Sequence, residues 1–207
     1  MRMGQLFEAA PVAAVIFVAT IAISWYALSK NRSLLFDWTL HPYSVAHEGA
    51  YYQLITNGFV HGSFMHLLIN MYVFYSFAFY LEGWMLGHIN FAIVYFGSLI
   101  ISSVISVLRR KDRPDFRSLG ASGAISGLLF SFILYNPNLT LLLFFIIPMP
   151  AWFAAVIFVG GSYYAAKNNY LPGIDHEAHI WGAIAGAALT IVLDPAAVSI
   201  FFTKLLG

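Results

Sequence analysis

The chain has 207 residues, 60% of them hydrophobic and 9% charged, with a mean hydropathy of +0.78. Soluble domains carry about a quarter charged residues, so this composition excludes an ordinary water-facing surface and points to membrane residence. A net charge of +1 gives no ground for a nucleic-acid partner, and the lack of cysteine excludes disulfides, Cys-ligated metal and a thiol nucleophile.

A helix needs about 20 apolar residues to cross the hydrocarbon. The first candidate is 9–28. Its run Ala9–Leu28 is longer than the roughly 7–15 residues of a signal-peptide core and ends in Trp25 and Tyr26, so it reads as a retained span with an interfacial aromatic end. Lys30–Tyr52, which contains His41-Pro42, reads as a long polar and aromatic loop. The second span is predicted over 59–81, ending at Glu82-Gly83, and the third over 88–108. Arg109–Arg117 follows as a solvated basic loop, in which Pro114 blocks a continuous helix. The fourth span, 121–136, is closed by Asn136-Pro137-Asn138.

Leu139–Ile147 is apolar but too short to cross, and Pro148 and Pro150 stop it. It is assigned to the membrane surface, with one long kinked helix over 139–166 as the alternative. The fifth span starts at Pro150 and runs to 166; Asn168–Asp175, with Pro172-Gly173, separates it from the sixth, 177–194. The expectation is an all-α, polytopic bundle of six transmembrane helices forming one domain over 1–207. It lacks the internal symmetry of an inverted-repeat transporter. Arg109–Arg117, Lys30, Arg32 and Lys167 all fall opposite the termini, which carry Arg2 and Lys204. Loop charge by itself therefore places the termini outside.

Polar residues at membrane depth are expensive and are candidates for function. Ser122 lies in Gly120-Ala121-Ser122-Gly123 and opens the fourth span. Such a tetrad also serves plain helix packing. A serine in a first helical turn, however, sits beside backbone N–H groups with no intrahelical partner, which can stabilise an oxyanion. His179 opens the sixth span, followed by Gly182 and Gly186; Gly123 and Gly127 repeat that spacing in the fourth. Two such glycine faces pack backbone to backbone, and if they meet, Ser122 and His179 come together as a nucleophile and its base. A structural interhelical hydrogen bond is the other reading of His179. His66 and Asn70 are four apart and share a helix face. They can serve as oxyanion donors or as an interhelical hydrogen-bonding pair. His61 reads as interfacial or supporting. No metal site is expected, because His176-Glu177-Ala178-His179 is one residue short of His-Glu-x-x-His.

Together these motifs resemble the rhomboid family of intramembrane serine proteases. The resemblance rests on Gly120-Ala121-Ser122-Gly123-Ala124, on Ala178-His179 with Gly182 and Gly186, on His61, His66 and Asn70 at their spacing, and on Glu82; it covers about 50–195. It implies a cofactor-free endopeptidase that cleaves single-span membrane proteins within the bilayer. Ser122 would be the nucleophile and His179 the base, with His66, Asn70 and the Ser122 N–H holding the oxyanion. The dyad would have no aspartate, leaving Asp175 as a helix-start residue or a loop charge. The fifth helix would gate lateral entry. The resemblance further implies a multi-pass protein of the cell membrane with cytoplasmic termini, against the loop-charge reading, and sets no oligomeric state.

Two departures from the family pattern stand out. Tyr52-Gln53 replaces a Trp-Arg pair, and Ser126 replaces the aromatic residue that stacks on the histidine, a place that Trp181 would fill instead. The rival readings are a catalytically silent relative that binds transmembrane helices, and a transporter or channel. A transporter would spread ionisable groups across the bilayer, whereas here they gather near one surface.

Overall fold

The computed structural model describes residues 3–143, 146–168, 170 and 174–207. Arg2, Pro172 and Gly173, used in the sequence reading, lie outside the described residues. The helices are α1 (Met3–Ala9), α2 (Pro11–Ser29), α3 (Arg32–Trp38), α4 (Pro42–His47), α5 (Gln53–Thr56), α6 (Phe64–Leu81), α7 (Gly87–Arg110), α8 (Ser122–Tyr135), α9 (Ala151–Asn168), α10 (His176–Leu193) and α11 (Ala196–Leu206). Each of the six expected spans contains one long helix, with ends shifted by up to five residues. The second shows the largest shift. Residues 57–59 form a 3₁₀ turn, and α6 begins only where the Ser63 hydroxyl accepts the His66 N–H.

The expectation of an all-α chain is corrected at one place. Thr140–Leu143 (β1) and Ile147–Pro150 (β2) form an antiparallel hairpin, pairing Thr140 with Pro150 and Leu142 with Pro148. Both prolines therefore sit in a strand, which rules out the kinked helix over 139–166. A two-stranded ribbon has free edges on both sides, where a missing N–H costs little. The segment Lys30–Tyr52 is likewise not a plain loop, since it carries α3 and α4. Asn31 caps α3, and buried Gln53 pins the segment, accepting from His41 N–H at 2.9 Å and donating to Asp37 O at 3.1 Å. Gln53 thus holds the segment from the position where the family pattern has arginine.

Among the described residues, three helical runs suffice by length and composition to cross a membrane: Pro11–Ser29, Phe64–Arg110 and His176–Leu193. The middle run is 47 residues long but does not extend straight. A π-helical turn over Glu82–Leu86 leads to Gly87 at φ +69°, a conformation that favours glycine, and the chain turns back there. Phe74 before the turn meets Tyr95 after it edge to face, at 5.7 Å between ring centres. Along a straight helix those residues would be roughly 30 Å apart.

Buried Glu82 fixes this turn to the start of α2. Its carboxylate accepts N–H groups from Val12 at 3.0 Å and Ala13 at 2.6 Å, with His88 Nδ1 at 2.6 Å on the outer side. The first amides of a helix have no internal acceptor, and the helix dipole favours a carboxylate there. Glu82→Ala is expected to lower stability by about 2–4 kcal/mol, because two buried amides lose a charged acceptor. Thermal unfolding in detergent reads this, and an unchanged Tm would contradict it.

Helix α8 stands in the middle of the bundle, with α6, α7, α9, α10 and α11 packed around it. Ten of its fourteen residues are buried. Its first residue is Ser122, so the candidate nucleophile is placed by the most enclosed helix of the protein.

Candidate active site

The start of α8 is shaped by Gly120, at φ +113°. A Cβ there would lie 2.8 Å from His66 Cε1 and 2.9 Å from Nε2, so the His66 ring rests against the glycine backbone. His66 and the turn leading to Ser122 are thus brought together, a proximity that the family resemblance implies and the spacing of the motifs does not give. The Ala121 N–H points at His61 Nε2 at 3.4 Å, and His61 Nδ1 lies 2.9 Å from Ser24 Oγ, which donates to Phe59 O at 2.8 Å. These contacts assign the proton of His61 to Nδ1. His61 is fully buried and its ring lies against His66 at 4.9 Å and 73°, which fits the supporting one of its two readings. Ser24 was not singled out from sequence. Its signal is a hydroxyl in the middle of an apolar span.

The two glycine faces meet. A Cβ on Gly182 would fall onto the Gly123 carbonyl, and one on Gly186 onto the Gly127 backbone. A Cβ on Gly123 would stand 3.5 Å from the carbonyl oxygen of Ala178, the residue before His179. The helix that begins at Ser122 is therefore in backbone contact with the helix that carries His179, near the starts of both. Among the described residues, no hydrogen bond joins Ser122 Oγ to His179. Serine–base contacts are often long before substrate binds.

His179 is held on its other side by Phe158 of α9, stacked at 5.9 Å and 25° between ring planes. This corrects the expectation for Trp181, whose ring instead lies under Arg109 at 5.5 Å. Ser126, at the position of the missing aromatic, donates to the Ser122 carbonyl at 2.7 Å. Phe158 carries no local signal in sequence, being one phenylalanine in an apolar run. Asp175 is the cap of α10, accepting the Ala178 N–H at 3.1 Å, and it also takes a hydrogen bond from Ser106 Oγ at 2.8 Å. It acts as a helix-start residue, as expected.

Asn70 is buried in α6, and its amide donates to the His66 carbonyl one turn back, at 2.9 Å. That uses one of its two amide hydrogens. Behind Ser122, a small cavity of about 10 Å³ is lined by Gly120, Ser122, Asn57, Ser102, Ser103 and Ser106. It has room for about one water, and its walls combine serine hydroxyls and the Asn57 amide with apolar Leu40, Leu99 and Ala178. Among the described residues, no three His, Cys, Asp or Glu side chains converge on a metal position.

Residues 48–195 match the Rhomboid domain family, a stretch that contains His66, Asn70, Ser122 and His179. The chain is 34% identical over 166 residues to Rhomboid protein 1, mitochondrial, of Saccharomyces cerevisiae, covering 78% of this chain and 45% of that protein. It is 36% identical over 114 residues to the candidate rhomboid protease YdcA of Bacillus subtilis, covering 54% of this chain and 56% of the relative. Identity is 29% over 189 residues to the mitochondrial presenilin-associated rhomboid-like protein of Bos taurus, 88% of this chain and 47% of that protein. The chain thus spans about half the length of the curated relatives it matches. The two mitochondrial relatives pull against the expectation of a cell membrane, while the third is bacterial. On the match across 48–195, the chain belongs to the rhomboid family of polytopic membrane proteins, whose members are in general intramembrane serine proteases.

Proposed function

We propose that this protein is an intramembrane serine endopeptidase that cleaves transmembrane segments of membrane proteins through a Ser122–His179 dyad. The observation that carries the reading is the backbone contact of the Ser122 helix with the His179 helix at Gly123 and Gly182, with His66 lying against Gly120 beside them.

In the first step Ser122 Oγ attacks the scissile carbonyl carbon while His179 takes its proton. Negative charge grows on the carbonyl oxygen. The Ser122 N–H lies in the first turn of α8, without an intrahelical acceptor, and His66 and Asn70 add side-chain donors. The C–N bond then breaks, His179 returns the proton to the leaving amine, and an acyl-Ser122 ester remains. Water, deprotonated by His179, hydrolyses that ester and regenerates the serine. No cofactor enters. His66→Ala and Asn70→Ala are each expected to lower kcat by about 10²–10³-fold with a smaller change in KM, as for other oxyanion donors. Equal losses in kcat and in substrate affinity would argue for a structural role instead.

The topology we propose has six crossings, with α6 and α7 as two of them and Gly87 between. Helix α8 has 14 residues and spans about 21 Å, less than the ~30 Å hydrocarbon core. Ser122 at its start therefore sits below the bilayer surface, in reach of an unwound substrate helix and of the small cavity behind it. The termini are taken as cytoplasmic. The folded protein pairs Arg113 with Asp115, whose carboxyl is held down to about 2 by that guanidinium, and Arg109 and Arg110 with Glu177. Much of the loop's positive charge is thus matched locally on the far side.

The catalytically silent, helix-binding alternative draws on the lack of a Ser122–His179 hydrogen bond. Cleavage of a single-span substrate in proteoliposomes by wild type, Ser122→Ala and His179→Ala separates the two. Binding without a product in wild type would favour the silent reading.

A further inference from the structure

At the membrane-surface ends of α7, α9 and α10 there is an open groove of ≈ 380 Å³, lined by Arg109, Tyr163, Lys167, Glu177, Ile180 and Trp181 among others. Its size falls in the range of ligand sites, about 300–1,000 Å³, and is far larger than one inorganic anion needs. The chemistry of its walls is divided. Arg109 and Lys167 are the cations, Glu177 is the one carboxylate, and Trp181, Tyr163 and Ile180 are the apolar surface. Both oxygens of Glu177 are already engaged, by Arg109 at 2.7 Å and by Arg110 at 2.7 Å. The Lys167 ammonium, in the last turn of α9, has no partner among the described residues. Two cations in the groove against one carboxylate, which Arg110 from outside it also shares, leave the groove short of negative charge.

The aromatic groups set the class of ligand. Tyr163 is 61% exposed and its neighbour Tyr164 60%, on a helix that crosses the bilayer in the proposed topology. Tyr and Trp beside Lys and Arg at the end of a membrane helix occupy the headgroup level. Arg109 already lies over the Trp181 ring, so it is fixed in place while further N–H donors remain free to grip an oxygen fork. We propose that this groove binds an anionic phospholipid, with Arg109 and Lys167 holding the phosphate and Trp181, Tyr163 and Ile180 seating the glycerol and upper acyl chain. The site is separate from Ser122 and holds whether or not the protein cleaves substrates.

The test uses the full chain in neutral detergent, titrated with dioleoylphosphatidylglycerol or dioleoylphosphatidylcholine, with bound lipid counted by native mass spectrometry and Tm followed in parallel. Wild type is expected to retain the glycerol lipid at least about fivefold more tightly than the choline lipid. Lys167→Gln, which breaks no contact in the fold, should remove about fivefold of that preference, and the double substitution R109Q/K167Q should abolish it. Lys111→Gln lies outside the groove and should leave it intact. Equal binding of the two lipids overturns the proposal, as does a loss in Lys111→Gln matching that in Lys167→Gln, which would mean diffuse surface charge. Inorganic phosphate raising Tm as much as the glycerol lipid would make this a free-anion site and overturn it as well.

Discussion

Ser122→Ala and His179→Ala are each expected to abolish cleavage of a single-span substrate, by about 1,000-fold or more in kcat, with Tm close to wild type in Ser122→Ala and modestly lower in His179→Ala, which loses the ring stacked on Phe158. The size follows from their roles. Without Oγ there is no acyl-enzyme, and without the imidazole the hydroxyl stays protonated and the leaving amine receives no proton. The double variant should be no worse than either single one, because the two groups act in one step. The stability of Ser122→Ala should change little, because Ser122 Oγ makes no side-chain hydrogen bond among the described residues. A specific product persisting in Ser122→Ala would overturn the proposed mechanism. Loss of product with a large fall in Tm would instead show that the side chains are structural.

Gly182→Ala is the second large effect. The new methyl would fall onto the Gly123 carbonyl, which is main chain and cannot rotate away. Helices α8 and α10 would have to separate by the depth of the clash. Overpacking costs about 1–3 kcal/mol, and the upper end is expected here because the obstacle is backbone. The same displacement moves His179, one turn before Gly182, away from Ser122. Activity should therefore fall more steeply than Tm. The matched controls are Gly160→Ala and Gly161→Ala in α9, where a Cβ meets nothing within 4 Å. Those variants should hold or raise Tm, since alanine is the better helix former by about 1 kcal/mol. Equal effects at Gly160 and Gly182 would contradict backbone packing as the cause.

Both predictions lean on features that the residues announce. Gly123, Gly127, Gly182 and Gly186 repeat at four-residue spacing, and in an apolar helix that spacing makes a flat, side-chain-free face. Such a face suits close backbone packing, so the pairing of α8 with α10 could be raised as a condition before any coordinates. The helix positions were legible for the same kind of reason: an unbroken apolar run of membrane length has no stable alternative to helix, since lipid offers its backbone no partners. His66, Asn70, Ser122 and His179 stood out because a polar side chain in such a run must have a partner or a task, whereas Glu82 stood out only through the family resemblance.

What the sequence left open has a common cause. The partner of an aromatic ring is not written in its neighbours, so Phe158 as the plate behind His179, in place of Trp181, emerged only from the way α9 leans on α10. His61 read as interfacial or supporting from its position in the chain, with nothing there to choose between the two. It is buried because the segment before α6 folds inward against Ser24 and the Ala121 amide. The hairpin at Thr140–Pro150 was hidden because a short apolar run between prolines suits a surface segment, a strand or a kinked helix equally well, and tertiary closure makes the choice. Sequence alone determined the membrane class and the long helices and offered the pairing of the glycine faces as a condition, because lipid leaves few local options. Only the tertiary structure decided which rings and carboxylates hold those helices in register, because such contacts join residues up to 70 positions apart, as Glu82 joins Val12.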